Sequence, residues 1–385
     1  VTGSLLAKQS GAGSDAFAAG TNAGATSQSA YGTAVGGYAG ETSQGQSATA
    51  IGMEAGRTSQ GISGTAVGNH AGKTTQGNYG TAVGIYAGSI SQGSSATAVG
   101  NTAGYNTQGI GAVAVGQNAG SANQGTSSVA VGSGAGQTSQ GANSIAIGRQ
   151  AGQTSQSSQA VAIGYLSGYS IQGVTAVAVG PESGQTSQGE AAVAIGYASG
   201  YLNQGTNAVG LGIRSGQTNQ GDNSIAIGNR AGQTNQGDNG IIISSIGTAQ
   251  NISPTNHIYL VSGSGKYLYY NGSNSWTFSG GSLYVGGSFV SSSDQALKGN
   301  ITTAPSDMVG KLTGREWDWK SNGEKGSGVV AQELEEHLPH LVVKNNEGIK
   351  GVNYSGLSGY LIEAIKEQKA MIETLQAEVA ELKGA

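Results

Sequence analysis

The sequence predicts a mainly β protein: a parallel β-roll or β-helix rod, then a small β connector, then an α+β domain that ends in a coiled coil. Three observations predict it: a sixteen-residue repeat, aromatic strand segments after it, and a charged C-terminus with helical periodicity. In all fourteen copies of the repeat a Gly (Gly20 to Gly228) is followed four residues later by Gly and eight residues later by Gln. A period without insertions indicates stacked coils and not a single globular core.

The composition excludes several classes of function. The chain has 70 Gly in 385 residues but no period of three, which excludes collagen and fits a tightly turned repeat. It has no Cys, so disulfides and thiolate metal sites are excluded. A net charge of −4 gives no reason to expect nucleic acid, and no apolar run is long enough for membrane insertion. We expect no cofactor and no metal.

Charge divides the chain into segments. Residues 293–385 hold 24 of the 38 charged side chains, so a domain boundary is expected at Ser293. We divide the chain into an N-terminal lead-in at the start of a fragment, the rod, the connector and the C-terminal domain. Their bounds are 1–19, 20–240, 241–292 and 293–385.

Each copy of the repeat alternates in the manner of a short strand. Val113 and Val115 flank Ala114, and the equivalent positions of most other copies hold Thr, Val or Ile around Ala. Period-two alternation predicts one apolar face and one small face, and the neighbouring glycines permit tight corners. Stacking the copies about 4.8 Å apart would give a rod roughly 65 Å long. The Gln column would then form a ladder of side-chain amides, unless Gln only caps a turn.

A lone coil buries too little apolar surface to offset the entropy of ordering its sixteen residues. We infer that the apolar strands of several chains, most simply three, meet on a common axis in a homotrimer. A threonine column that could bind ice lapses at Ile90, Asn106 and Ala122, and the recurring Asp of calcium-binding repeats is missing.

Strings such as "AVAVG" followed by "AG" and "TSQG" resemble the head repeats of trimeric autotransporter adhesins. That resemblance covers about residues 20–240 and implies parallel β-rolls around a three-fold axis. The connector holds four predicted strands, at 257–262, 266–270, 275–278 and 282–290. Its aromatic residues either pack a small trimeric β-domain or contact a receptor.

Three C-terminal motifs occur in order: "SDQALKGNI" (293–301), "GVVAQELEEHLPHLV" (328–342) and "GVNYSGLSGYLIEAIKEQ" (351–368). They resemble the intramolecular chaperone of phage tailspikes and tail fibres, which is best known from endosialidases. The resemblance implies a trimer that assists fibre assembly and then cuts itself off. It places the catalytic Ser-Lys pair on Ser293 and Lys298 and the scissile bond between Ser292 and Ser293.

The implied chemistry is reasonable for a single turnover by a self-cleaving serine endopeptidase. Ser293 Oγ would attack the preceding carbonyl, and water would hydrolyse the resulting ester. Lys298 must be neutral to act as the base, which requires a buried environment. The spacing does not put both residues on one helix face, so a turn or a neighbouring chain must bring them together. Alternatively, Ser293 is a helix N-cap and Lys298 a solvated charge.

Other C-terminal residues have structural interpretations. His337 and His340 lack a third metal ligand nearby, and Trp317 and Trp319 are expected on the core face of a strand. Residues 360–383 predict a trimeric coiled coil or, alternatively, an amphipathic helix packed on its own domain. The seam follows a 4-3 spacing through Leu361, Ile365, Gln368, Ile372, Leu375, Val379 and Leu382.

These features predict a structural, receptor-binding tail fibre of a phage-like virion, and therefore an extracellular protein. The expected partners are two further copies of the chain and a host cell-surface receptor, a glycan. Surface tyrosines offer stacking platforms for sugars: Tyr38, Tyr86, Tyr105, Tyr165 and Tyr201. The alternatives are a bacterial trimeric surface adhesin and a glycan-degrading tailspike, although the rod shows no repeated carboxylate pair.

Overall fold

The chain folds into two compact units, Val1–Leu283 and Tyr284–Ala385. The structure is a computed structural model. It describes residues 13–248, 254–263, 266–271, 276–279, 295, 298–320, 323, 325–344 and 348–384. The predicted strand at 282–290 and the residues Ser292 and Ser293 therefore lie outside the described residues.

The first unit is a parallel β-solenoid with a sixteen-residue turn, which confirms the predicted fold class. Each turn contributes one strand to each of two sheets. They are called here the alanine sheet and the glutamine sheet, after the residue whose side chain points into the solenoid. Identical repeat positions align between turns: Val113 pairs with Val129, and Gln108 with Gln124. Among the described residues the sheets hold 18 and 14 strands.

The strands of the solenoid are three or four residues long. In the alanine sheet they are Phe17–Ala19, Thr33–Val35, Thr49–Ile51, Thr65–Val67, Thr81–Val83, Thr97–Val99, Val113–Val115, Val129–Val131, Ile145–Ile147, Val161–Ile163, Val177–Val179, Val193–Ile195, Val209–Leu211, Ile225–Ile227 and Ile241–Ser244. In the glutamine sheet they are Thr26–Gln28, Thr42–Gln44, Thr58–Gln60, Thr74–Gln76, Ile90–Gln92, Asn106–Gln108, Ala122–Gln124, Thr138–Gln140, Thr154–Gln156, Ser170–Gln172, Thr186–Gln188, Leu202–Gln204, Thr218–Gln220 and Thr234–Gln236.

The interior of the solenoid consists of small side chains and glutamines. Ala114 on the alanine sheet and Ala119 in the following corner are both 0% exposed. Gln108 is also buried, and its Nε2 donates to the Thr97 carbonyl at 2.8 Å and to Gln124 Oε1 at 3.1 Å. The predicted amide ladder therefore exists. The same nitrogen also lies 3.3 Å from the Ala112 carbonyl in the nearby corner, but the alternative that Gln only caps a turn is wrong.

The amide ladder has interruptions within the described residues. The side-chain oxygens of Gln44, Gln76, Gln140 and Gln156 have no hydrogen-bond partner there. Between these points each amide donates to the next, as Gln172 does to Gln188 at 3.0 Å. A buried amide oxygen without a donor is costly, so the ladder acts as several short runs.

The corners are also hydrogen-bonded from turn to turn. The Gly88 N–H donates to the Ala103 carbonyl and the Tyr86 N–H to the Asn69 carbonyl, each at 2.9 Å. Gly84 precedes this corner with φ +128°, and a Cβ there would lie 2.6 Å from the Gly100 carbonyl oxygen. Gly recurs at this position because the backbones of successive turns meet there without room for a side chain.

The connector continues the alanine sheet. Ile258–Val261 pairs in parallel with Ile241–Ser244, and the strands Tyr267–Tyr270 and Trp276–Ser279 then add in antiparallel order. Three of the four predicted strands thus occur with shifted ends, and the predicted boundary at 240/241 lies within a continuous sheet.

The second unit has a small leucine core. Leu334, Leu338, Leu341 and Leu357 are buried together. Its helices are α1 (Ala331–His337) and α2 (Tyr354–Gly384), with short 3-10 turns at Ser306–Lys311 and Pro339–Leu341. Its two antiparallel strand pairs are Arg315–Asp318 with Lys325–Gly328 and Val342–Lys344 with Lys350–Val352. Among the helices of the described residues, none has the length and hydropathy needed to cross a bilayer.

Candidate functional site

The outer face of the alanine sheet carries an apolar stripe, defined as the residues one and three positions before each repeat Gly. Ile51 and Leu211 in this stripe are 41% and 42% exposed. The inner of its two columns holds Thr from Thr33 to Thr97 and Val or Ile from Val113 to Ile241. A single chain therefore leaves one continuous face of mostly β-branched side chains at least partly exposed along the solenoid.

Charged and aromatic side chains of the repeat are concentrated in the corner that follows each alanine-sheet strand. This corner, called here the variable corner, comprises the first, second and fifth residues after each repeat Gly. It carries most of the charged and aromatic side chains of the solenoid, including Tyr38, Tyr86, Tyr105, Tyr165 and Tyr201. Tyr38, Tyr86 and Tyr165 are exposed, as predicted for stacking platforms, whereas Tyr105 and Tyr201 are half-buried.

One ionic cluster lies in the variable corner of neighbouring turns. Glu54 Oε2 is 2.7 Å from Lys73 Nζ and 3.2 Å from Arg57 Nη1, and Arg57 Nε also bonds Glu41 at 2.6 Å. The hydrogen bond from Lys73 holds the pKa of Glu54 below its usual value, with a smaller contribution from Arg57.

Aromatic rings continue this cluster along the solenoid. The guanidinium of Arg57 lies 5.2 Å from the centre of the Tyr38 ring. His70 stacks on Tyr86 with 4.7 Å between ring centres. Sequence reasoning named the tyrosines but missed the charges, although their concentration in a nearly uncharged repeat was visible in the sequence.

The predicted catalytic pair is described only in part. Ser293 and the scissile bond after Ser292 lie outside the described residues, whereas Lys298 is described and exposed. The Lys298 N–H donates to the Gln295 carbonyl at 3.0 Å. The burial expected for a catalytic lysine is therefore not present within a single chain.

Ion pairs connect the elements of the second unit. Arg315 Nη2 bonds Glu333 Oε1 at 3.0 Å and links the first strand pair to α1. Glu335 pairs with Lys350 and, at 3.5 Å, with Lys344. The Lys350 ammonium is the main reason that the pKa of Glu335 lies below its usual value. These contacts fix α1 over both strand pairs.

An open aromatic cleft lies beside α1. Trp317 and Trp319 meet edge to face with 5.8 Å between ring centres, and Tyr354 closes one side by accepting the Val329 N–H at 3.2 Å. Trp319 is 53% exposed, so the expectation that both tryptophans face the core is wrong for Trp319. The strand Arg315–Asp318 ends before Trp319, which turns its ring outward over Gly326.

The predicted coiled-coil seam lies on α2, which spans 31 residues. Within this helix Leu357 is the buried residue and anchors its first turns on the leucine core. The six apolar seam residues are 46–79% exposed: Leu361, Ile365, Ile372, Leu375, Val379 and Leu382. Gln368 is exposed as well. The alternative of a helix packed along its own domain therefore fails beyond the first turns.

Part of the second unit is similar to a known protein family. Residues 293–343 match the family described as chaperone of endosialidase. This chaperone segment begins at the predicted cleavage serine and contains Lys298, both strands of the tryptophan pair and α1. The chain is also 32% identical over 133 residues to the long tail fiber protein Gp37 of Salmonella phage S16. That alignment covers 31% of this chain and 17% of the phage protein.

The chaperone segment and the solenoid contain no candidate metal centre among the described residues, where no three His, Asp or Glu side chains cluster. His340 instead lies 3.0 Å from the Tyr360 hydroxyl through its Nε2. His337, at the end of α1, is exposed.

Proposed function

We propose that this chain is a structural, receptor-binding part of a phage-like tail fibre, in which the C-terminal chaperone aligns three solenoids and then releases itself. The observation that carries the proposal is the chaperone match at 293–343 in a chain that also carries a solenoid of near-identical turns. The likeness to a phage long tail fibre favours this role over a bacterial adhesin.

The solenoids of different chains need another part of the protein to set their register relative to one another. Because turns repeat every sixteen residues, two chains displaced by one turn would make nearly the same contacts through their apolar stripes. Contacts within the solenoid therefore discriminate poorly between correct and shifted assemblies. A unique domain that trimerises first, at one end, removes the ambiguity for every turn.

The second unit offers two surfaces for that trimerisation. The seam of α2 follows a coiled-coil spacing and is exposed, and isolated helices of this kind are marginal in water. The cleft between Trp317 and Trp319 exposes further apolar surface beside a core of four buried leucines. Both surfaces would be covered by neighbouring chains in the assembled trimer.

Cleavage would follow assembly. Ser293 Oγ attacks the Ser292 carbonyl, the peptide nitrogen leaves as the new amino group, and water hydrolyses the ester to a Ser292 carboxylate. Lys298 takes the hydroxyl proton and must be desolvated to do so. Since Lys298 is exposed in one chain, a neighbouring chain supplies that burial, which couples the cut to trimer formation.

The test is expression of the full chain beside Ser293→Ala, Lys298→Ala and the control Lys320→Ala, an exposed lysine of the same unit. On denaturing gels wild type and the control should lose the 38.0 kDa band to two fragments, while the first two variants keep it. A single intact wild-type band would contradict cleavage. Soluble, uniform trimers from a chain lacking 293–385 would contradict the chaperone role.

A further inference from the structure

A polar cleft opens in the variable corner of the middle turns. It has a volume of about 270 Å³ and is lined by Gln137, Arg149, Gln150 and Gln153 around Gly134. Pockets for drug-sized ligands run from about 300 to 1,000 Å³, so this cleft suits one sugar-sized ring. Gly134 occupies the same repeat position as Asn118 in the preceding turn and Gln150 in the following turn. The cleft exists because Gly134 has no side chain to fill this position.

Arg149 brings a positive charge to the cleft. Its guanidinium lies 5.0 Å from the centre of the Tyr165 ring, and its Nη2 is 3.4 Å from the Tyr165 hydroxyl. Among the described residues no carboxylate lies within ion-pairing distance of Arg149, in contrast to Arg57 in the ionic cluster. Tyr165 thus holds in place a guanidinium whose charge is available to a ligand carboxylate.

The glutamines supply neutral donors and acceptors. Gln153 Nε2 donates to Gln137 Oε1 at 2.7 Å. This bond fixes both amides and leaves the Gln137 nitrogen as a donor and the Gln153 oxygen as an acceptor. Neither atom has another hydrogen bond among the described residues. A fixed donor and acceptor beside one arginine match a ligand with several hydroxyl groups and one carboxylate.

We propose that this cleft binds a saccharide that carries a carboxylate, with Arg149 on the carboxylate and Gln137 and Gln153 on hydroxyl groups. The inference rests on the proposed receptor-binding role and assigns it a site and a ligand class. The site lies on the side of the solenoid, in its middle turns.

Gly134→Asn is the decisive variant. The position has φ +68°, and a Cβ would lie 3.4 Å from Gln150 Cγ and Gln153 Nε2, which is ordinary contact. Asn118 occupies the same column at φ 58°, so the turn tolerates Asn while its side chain fills the cleft. Gly111→Asn is the matched control. Gly111 lies in the opposite corner of its turn with φ +65°, and Asn143 occupies the same repeat position with φ 57°.

The second variant is Arg149→Gln. Its control is Arg214→Gln, because Arg214 is also an arginine stacked on a tyrosine ring.

The purified full-chain protein is applied to an array of sialylated and uronate-containing glycans, the methyl esters of the same glycans, and neutral glycans. Wild type, Gly111→Asn and Arg214→Gln should bind at least one carboxylated glycan at least tenfold more tightly than its ester. Gly134→Asn and Arg149→Gln should each lose tenfold or more. Equal binding of esters, equal binding of a polyglutamate peptide, or unchanged binding by Gly134→Asn would overturn the proposal.

Adhesion of the same proteins to a panel of bacterial cells tests the receptor-binding role independently of the cleft. Adhesion that persists in wild type and in Gly134→Asn, without binding of any carboxylated glycan, would remove the cleft and leave the receptor-binding role. Absence of both cell adhesion and glycan binding would remove both.

Discussion

The side-chain Nε2 of Gln76 donates a 2.9 Å hydrogen bond to Oε1 of Gln92, one turn further along the solenoid. Gln92 in turn donates to Gln108 Oε1 at 3.1 Å and to the Thr81 carbonyl at 2.8 Å. These residues are buried, so each amide satisfies polar groups that water cannot reach.

Replacing Gln92 by Leu should therefore destabilise the solenoid by about 2–4 kcal/mol, because it leaves several buried polar groups without partners. The measurement is the midpoint of thermal unfolding by circular dichroism. Ser91→Asn is the control, since Ser91 is exposed at φ 53° and Asn123 occupies the same column. A loss no larger than that of the control would mean that the ladder contributes little.

Gly84→Ala should disrupt its turn. Its backbone has φ +128°, a region that residues with a side chain rarely adopt, and the new methyl group would meet the Gly100 carbonyl oxygen at 2.6 Å. We expect a loss of at least about 2–3 kcal/mol or insoluble protein. Gly37→Ala is the control because nothing lies within 4 Å of a Cβ there. Equal stability and solubility of the two variants would contradict this account.

Gly210 should resist replacement by Ala even though other turns carry Ala at its position. A Cβ at Gly210 would lie 2.7 Å from Ser199 Oγ, which itself bonds Ser215 Oγ at 2.9 Å. Gly210→Ala should lower the unfolding midpoint, and Ser199→Ala in the same chain should recover most of the loss. A double-mutant cycle measures this coupling, and additive effects would refute it.

The ionic cluster should stabilise the solenoid at neutral pH and lose its effect in acid. Because the folded pKa of Glu54 is lowered, chiefly by Lys73, its contribution is present above the unfolded value of about 4.3 and disappears as pH falls through the folded value. Glu54→Gln should lower the midpoint by about 1–3 °C at pH 7 and progressively less below pH 4.

Glu182→Gln is the matched control for the pH experiment. Glu182 occupies the same column as Glu54, and no basic side chain of the described residues lies within ion-pairing distance of it. Its midpoint should follow wild type at every pH. A difference between Glu54→Gln and wild type that persisted unchanged in acid would exclude the ion pair as its cause.

Charges placed in the seam of α2 should prevent trimer formation. Ile365 and Ile372 are 63% and 54% exposed in one chain and occupy the same core position in successive heptads of the predicted coiled coil. Ile365→Asp with Ile372→Asp should convert trimers to monomers or aggregates in sedimentation experiments and abolish cleavage. Glu381→Gln, outside the seam, should change neither. Trimers of the double variant would show that the helix does not carry assembly.

The sequence predicts the solenoid well because every turn repeats the same local information. The sequence alone does not reveal which face of each strand points into the solenoid, the face with Ala114 or the face with Val113 and Val115. The structure encloses the alanines and glutamines and leaves Val113 and Val115 outside, because so short a turn has space for methyl groups and not for two layers of aliphatic side chains.

The C-terminal unit was less predictable. Motifs predict its elements, but the exposed ring of Trp319 depends on where one strand ends, and the exposure of Lys298 does not follow from the motif that contains it. The cleft at Gly134 was missed for another reason. The cleft forms where Gly134 has no side chain between Asn118 and Gln150 of the adjacent turns, and this gap becomes apparent only when the turns are stacked.

The uniform register between turns has a consequence for how such proteins diversify. The backbone of any turn can pair with that of any other, because Val113, Val129 and Ile145 align in the same register as the other turns. Unequal recombination within the gene can then add or delete whole turns without creating a faulty junction. The length of the solenoid would change in steps of about 5 Å per turn, with the segments on either side of it left intact.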